Sequence, residues 1–482
     1  MDLTKLKARE LISGYENRDF SVEEVTRAYL EKIKEDDKDL NAYITVCEDQ
    51  AIETAKRVDK KFQDREEMGI LRGVPISLKD NIAVKNVRMT CASKMLENFI
   101  PYYESTVSEK IKKNDGIILG KVNMDEFAMG ASTKTSYFGP SKNPLNKDLI
   151  PGGSSGGSAA ALAGEECALS VGSDTGGSIR QPASFCGLVG IKPTYGSISR
   201  FGVSTMANTF DQVGSFGKDV EDAALLLKAL EGRSEKDATS VGNPSLHEPY
   251  NEGDSITYLK GLKIAIPKLY MDMELNERVK SDYNKAIEIF EKNGAEIEIV
   301  DMDSLKYVVE TYHIITNGEI APNMERFDGL RYAHRAKEYS NYEEMFSKSR
   351  AEGFGEEVKR RIMIGTHILS LEFAKDYYYK ALKVRNMIKR DMENVLKNNQ
   401  LILCPTSPIL PYRIEENISP VEMYKADLFT IPANMAGCPS MSIPMPKIDG
   451  LSVGIELTAN RFKDDEMIKA ALGFERSINN GI

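Results

Sequence analysis

The chain has 482 residues, 41% hydrophobic and 28% charged, the profile of an ordinary soluble globule rather than a disordered tract. Its net charge of −10 argues against a nucleic-acid surface on this chain itself, because phosphate binding needs clustered Lys and Arg. The six scattered cysteines include no C-x-x-C pair, so neither a disulfide framework nor a cysteine-rich zinc site is suggested; with no apolar leader or membrane-length run, a reducing cytoplasm fits.

Taken in order, the chain opens with helices. Apolar residues at helical spacing predict a helix over Leu3 to Tyr15, and Ser21-Val-Glu-Glu24 is a capping box before a second helix. NAYITVC reads as a strand and EDQAIETAKRVDKKFQ as a helix with a charged outer face. The apolar run LRGVPISLKDNIAV carries Lys79 near its end, where a lysine is unusual unless it reaches the surface, pairs with Asp80 or has chemical work. DGIILG is a short buried strand, followed by a Gly/Pro/Asn-rich loop that runs through NMDEFAMG and SYFGPSKNP.

That loop leads into two glycine-serine clusters, GGSSGGS at Gly152 to Ser158 and DTGGS at Asp174 to Ser178. Such clusters mark sharp turns or close approach to a ligand. The segment between them reads as a short helix ended near Gly164 and then a short buried strand, which brings the clusters together at one end of a sheet. Downstream, DVEDAALLLKALEG is an amphipathic helix, Arg233 to Ser255 a polar surface excursion, and GLKIAIPK and LILCPTSPI buried strands separated by helix-rich sequence. The alternation predicts an α/β fold with a large sheet.

A serine needs a base to become a nucleophile. The G-x-S-x-G string around Ser154 matches a hydrolase nucleophile elbow, but that arrangement needs an acid and then a histidine downstream, and none follows His367. A lysine base remains, made neutral by burial, and Lys79 is the best placed. Ser178 is the candidate nucleophile, since a Gly-Gly turn just before it can aim N–H groups inward.

The string GGSSGGSAAALAG with GSDTGGSIRQPASFCGLVGIKPT resembles the signature region of the amidase signature family, which uses a Ser-Ser-Lys triad, and GVPISLKDNI supplies the lysine segment. NMDEFAMG, SYFGPSKNP, GFGEEVKRRI and DLFTIPANMAG are most similar to the branch that hydrolyses glutamine within tRNA-dependent amidotransferases. The resemblance implies one amidase domain over 1–482, with a helical N-terminal layer about 1–65, a catalytic core about 70–220 and the polar excursion about 233–255. It implies a large mixed central β-sheet sandwiched between layers of helices. It makes Ser178 the nucleophile, Ser154 a bridging serine that follows a cis peptide bond, and Lys79 the base. The backbone N–H groups of Thr175, Gly176 and Gly177 would form the oxyanion hole, braced by Asp174 and Arg180. Arg361 would take the carboxylate of glutamine and Asp427 its ammonium, with Tyr312 in the pocket.

The same resemblance implies no metal or cofactor on this chain. ATP and Mg2+ would sit on a larger kinase/transamidase partner that also grips tRNA, with a small third chain completing a heterotrimer. Ammonia released from glutamine would then amidate Glu-tRNA(Gln) and/or Asp-tRNA(Asn). Two departures stand out: Glu456, where relatives tend to carry glutamine, and Ser204 to Phe210, which differs from the usual apolar sequence. A free-standing amidase acting on small amides is the alternative, and a non-catalytic role is disfavoured because Lys79, Ser154 and Ser178 are all present.

Overall fold

A computed structural model describes residues 2–243, 246 and 255–480. Eleven strands form one mixed sheet: β1 (Tyr43–Val46), β2 (Pro75–Lys79), β3 (Ile117–Val122), β4 (Leu169–Asp174), β5 (Val189–Lys192), β6 (Gln212–Gly217), β7 (Lys263–Pro267), β8 (Glu296–Val300), β9 (Leu401–Pro405), β10 (Ser440–Pro444) and β11 (Gly454–Ala459). Their order across the sheet is β1-β3-β2-β4-β6-β5-β10-β11-β9-β7-β8. β3, β2 and β4 run parallel, as do β9, β7 and β8, while the middle of the sheet is antiparallel. Helices cover the sheet, giving the mixed α/β architecture expected from the alternating sequence.

The strands that matter for the site are buried along their whole length, which is why they read as continuous apolar runs instead of alternating ones. β2 and β4 are adjacent and parallel, with Ile76 opposite Leu169 and Leu78 opposite Val171. Their carboxyl ends therefore coincide, and Lys79 at the end of β2 lies beside Ser173 near the end of β4. Two apolar clusters flank this edge. One contains Leu78, Val171 and Ile179; the other contains Tyr312, Val358 and Ile431 from the helices that follow later in the chain.

Several local expectations hold in detail. Ser21 accepts from the Glu24 N–H at 3.1 Å and starts the helix Val22–Leu40, and Gly164 caps the helix Gly156–Ala163. The first helix departs from expectation. Leu3–Lys5 is a single 3-10 turn, the chain then extends, and a new helix runs Ala8–Asn17. The Asp222 carboxylate accepts from the N–H groups of Ala8 and Arg9 at 2.8 and 3.2 Å, which supplies a separate helix start that periodicity alone does not reveal. Of the polar stretch 233–255, residues 233–243 form turns, and most of the remainder lies outside the described residues. Among the described residues no helix is long and apolar enough to cross a membrane.

Candidate active site

Lys79, Ser154 and Ser178 come together at the carboxyl edge of β2 and β4. Lys79 ends β2, Ser154 precedes the helix Gly156–Ala163, and Ser178 precedes the helix Arg180–Cys186. Lys79 Nζ donates to Ser154 Oγ at 2.7 Å and to the Ser173 carbonyl at 3.2 Å. Burial penalises its ammonium form and brings it down to about 7, against the opposing pull of Asp125, Asp174 and Asp211. A lysine with that value is neutral in a large fraction at neutral pH and can accept a proton. The Gly153–Ser154 peptide bond is cis. The Ser155 N–H donates to the Ser178 carbonyl at 3.2 Å, which ties the two serine clusters together. Lys79 and Ser154 are fully buried, whereas Ser178 is 9% exposed, so Ser178 is the member of the three that faces an entering ligand.

The glycine loop before Ser178 is braced from both ends. The Asp174 carboxylate accepts from the N–H groups of Gly177 and Ile179 at 3.0 and 3.1 Å, from Arg180 Nε and Nη2, and from Asn434 Nδ2. Burial would raise this carboxyl, but the Arg180 guanidinium overrides it and holds it at about 2. At the other end, Thr175 Oγ1 donates to Asp211 at 2.7 Å. The three predicted oxyanion donors therefore separate. The Gly177 N–H is taken by Asp174, so Gly177 is a brace point in this arrangement. Among the described residues no protein group accepts from the N–H groups of Thr175, Gly176 or Ser178. Glycine at both central positions is required by crowding: a Cβ on Gly176 would lie 2.6 Å from Tyr312 Oη, and one on Gly177, at φ +139°, would lie 2.3 Å from Thr430 Oγ1.

Tyr312, in the helix Val308–Met324, is buried with its hydroxyl over Gly176. Arg361, in the helix Glu356–Leu369, is buried too, and its Nε donates to Glu357 Oε1 at 2.8 Å. Tyr424 donates to the same carboxylate oxygen at 2.9 Å, and the Arg361 guanidinium lies 5.4 Å from the Tyr424 ring centre. Burial opposes the Arg361 charge, and Glu357 more than compensates, so the guanidinium stays ionised. Asp427 presents a different state. Its Oδ1 is buried with no hydrogen-bond partner among the described residues. Burial and then the charge of Asp174 push its carboxyl well above the usual range, against Arg180 and Arg361. A buried carboxyl without a partner costs free energy, and a cationic ligand group would relieve it.

Sequence reasoning passes over Asp211, Glu357, Tyr424 and Thr430, which hold the loop and the arginine in place. Of these, Tyr424 and Thr430 lie three residues either side of Asp427, and Glu357 lies four before Arg361, while Asp211 stands apart from every candidate residue in sequence. Glu456 has a structural explanation: Arg180 Nη1 donates to it at 2.7 Å, and Ser440 Oγ donates to the same oxygen at 2.8 Å.

A mixed sheet that buries a near-neutral lysine against one serine, beside a second serine on a glycine loop, defines a serine amidase architecture. The chain belongs to the amidase family, whose model matches residues 24–468. Among curated relatives, the A subunit of glutamyl-tRNA(Gln) amidotransferase from Clostridium botulinum (strain Kyoto / Type A2) is 48% identical over 481 residues, covering 99% of this chain and 98% of that protein. The crystal structure of the corresponding A subunit of glutamyl-tRNA(Gln) amidotransferase from Thermotoga maritima is 36% identical, with a TM-score of 0.81 over 99% of this chain and 95% of that one. A bacterial aryl acylamidase of the amidase signature family shares the fold at 24% identity, with a TM-score of 0.84 over 98% of this chain and 96% of that one.

Proposed function

We propose that this chain is the glutamine-hydrolysing subunit of a tRNA-dependent amidotransferase. The observation that carries the reading is the placement, around Tyr312 and the Ser178 loop, of Arg361, a buried and ionised guanidinium, and of Asp427, whose Oδ1 is buried with no hydrogen-bond partner among the described residues. The guanidinium fork suits the carboxylate of a free amino acid, and an ammonium brought against Asp427 would favour the ionised form that burial disfavours. The near full-length similarity to the A subunits of glutamyl-tRNA(Gln) amidotransferases supports glutamine as that amino acid.

In this reading Ser178 Oγ attacks the side-chain amide carbon of glutamine while its proton passes to Ser154 and the Ser154 proton to Lys79. The tetrahedral oxyanion is met by unpaired N–H groups drawn from Thr175, Gly176 and Ser178, with Gly177 held in place by Asp174. Lys79, through Ser154, returns a proton to the leaving nitrogen, which departs as ammonia. Water then hydrolyses the glutamyl ester on Ser178, giving glutamate and the free serine. The whole chain acts as one amidase domain in the cytoplasm. ATP, Mg2+ and tRNA belong to a larger partner, with a small third chain, and the ammonia amidates Glu-tRNA(Gln) and/or Asp-tRNA(Asn). Ammonia release from glutamine, measured with the chain alone and with its partner subunits, ATP and misacylated tRNA, tests this. Strong stimulation in the complex is expected. Full activity alone, or preference for unrelated hydrophobic amides, favours the free-standing amidase.

A further inference from the structure

Glu126 is buried, and nothing in the triad or the glutamine pocket uses it directly. It follows β3 in a single turn, Glu126–Ala128, and its neighbour Asp125 touches the catalytic serine segment. The Asp125 N–H donates to the Ser154 carbonyl at 3.1 Å, and the Asp125 carboxylate accepts from the Ser132 N–H at 3.1 Å. Glu126 points to a different part of the molecule. Its Oε2 accepts from the Gly355 N–H at 2.9 Å, and its Oε1 accepts from Ser93 Oγ. Gly355 is the residue before the helix Glu356–Leu369, the helix that carries Arg361.

The contact is built for this carboxylate. Gly355 has no side chain to cap its own helix, and the Glu126 carboxyl takes that place at the start of a 14-residue helix; burial pushes it up to about 7, against the Ser93 and Gly355 hydrogen bonds that favour its ionised form. A Cβ on Gly355 would lie 2.4 Å from Glu126 Oε2, so only glycine allows the carboxylate to come this close. Ser93 closes the arrangement by also donating to the Gly353 carbonyl at 3.3 Å. Next to Glu126, the Phe127 ring packs against Phe354 at 5.7 Å and Phe327 at 4.8 Å, which stiffens the same junction. Two consecutive residues thus hold the backbone of Ser154 on one side and the start of the Arg361 helix on the other.

We infer that Glu126 is a positioning residue for substrate selection: it acts as a strut that fixes the Arg361 helix relative to Ser154 and so sets where the carboxylate end of the amino-acid substrate lies against the nucleophile. This rests on the glutamine-pocket reading above. Glu126 does not touch substrate, and its action runs through Gly355 and the helix.

The test is a double-mutant cycle on the full chain, following glutamine kinetics in wild type, Glu126→Ala, Arg361→Gln and the double variant. Glu126→Ala is expected to raise the glutamine KM by about tenfold while kcat changes by less than about twofold, the split that a general loss of structure does not give. In the Arg361→Gln background the same change is expected to add less than about twofold, because the helix then has no guanidinium to misplace. Gly355→Ala reaches the same contact from the helix side, at a φ of −72° that alanine accepts, and is expected to reproduce both results; it carries the test should Glu126→Ala fail to fold. A raised KM for Arg361→Gln with a wild-type KM for both Glu126→Ala and Gly355→Ala overturns the strut alone, as do equal effects in both backgrounds. An unchanged KM for Arg361→Gln overturns the pocket, and the strut with it.

Discussion

Lys79 Nζ lies 2.7 Å from Ser154 Oγ, and both residues are sealed from solvent. The contact works as a base only when the lysine has lost its proton. Burial brings that loss down to about 7. The base form therefore appears as pH rises through this value, and kcat/KM for glutamine should fall about tenfold per pH unit well below 7 and level off above about 8. Asp211, raised by burial to about 6, accepts more weakly from Thr175 once protonated and should deepen the acid loss. A pH–rate profile flat from about 5.5 to 7.5 would remove Lys79 from the role of base.

The same lysine weakens the fold that holds it. Its folded value is below the 10.5 of an ordinary lysine, so between about 7 and 10.5 the unfolded chain binds a proton that the folded chain lacks. Stability therefore rises with pH across this window, and the cost is full below it. Lys79→Met should raise Tm by about 2 °C or more at pH 7, with the difference shrinking by pH 10, while kcat drops by at least about a thousandfold. Thermal melts at the two pH values check it; a lower Tm for the variant at pH 7 contradicts it.

Ser178→Ala should abolish ammonia release and leave the melting profile near that of wild type, since the change removes one hydroxyl from a residue more exposed, at 9%, than Thr175 or Ile179. Ser154→Ala should be severe as well, because it contacts Lys79 and in the proposed relay carries the proton of Ser178 to it. Gly177→Ala tests the loop itself. With a Cβ 2.3 Å from Thr430 Oγ1 and a φ of +139°, it should lower kcat by about a hundredfold or more with a correctly folded sheet. Near-wild-type turnover in Ser178→Ala would mean the nucleophile lies elsewhere.

Arg361→Gln removes the guanidinium, and Asp427→Asn the carboxyl, proposed to take the two ends of glutamine. Both should raise the glutamine KM by about tenfold to a hundredfold and affect kcat less, the signature of binding lost equally from ground and transition states. Steady-state glutamine kinetics decide the matter, and an unchanged KM in both variants returns these residues to a structural role.

The edge that carries the candidate triad is legible in the sequence because the proposed chemistry calls for unusual local composition. A lysine at the end of an apolar run and serines inside paired glycine clusters are hard to explain as surface or core, and β2 and β4 do bring them together. Periodicity misreads the first helix because its break is imposed by Asp222, more than 200 residues away in sequence. The glycine loop proposed as the oxyanion hole is legible as a loop, but the diversion of the Gly177 N–H to Asp174 depends on a side-chain rotamer that spacing does not encode. Arg361 sits in a run of basic residues that looks like a solvated helix face; Arg360 pairs with Glu357 too, and only burial and the Tyr424 ring separate Arg361 from it. Glu126 lies in the NMDEFAMG string that carries the resemblance, but its contact gives no signal, because an acidic pair after a strand reads as exposed loop until the helix it caps is brought to it from about 230 residues downstream.

The order of strands across the sheet also sets a schedule for synthesis. β5 ends at Lys192, yet its outer neighbour β10 begins only at Ser440, about 250 residues later. At roughly 5–20 residues per second on the ribosome, that edge stays open for on the order of 10 to 50 s. During this interval the nascent chain already contains Lys79, Ser154 and Ser178, but it lacks the strands that fill the middle of the sheet and the Thr430 and Asn434 contacts that brace the Asp174–Arg180 loop. Amide-hydrolysing competence thus arrives with the last tenth of the chain, and a product truncated before β10 would be inert, with an unpaired apolar strand edge for chaperones or proteases to find.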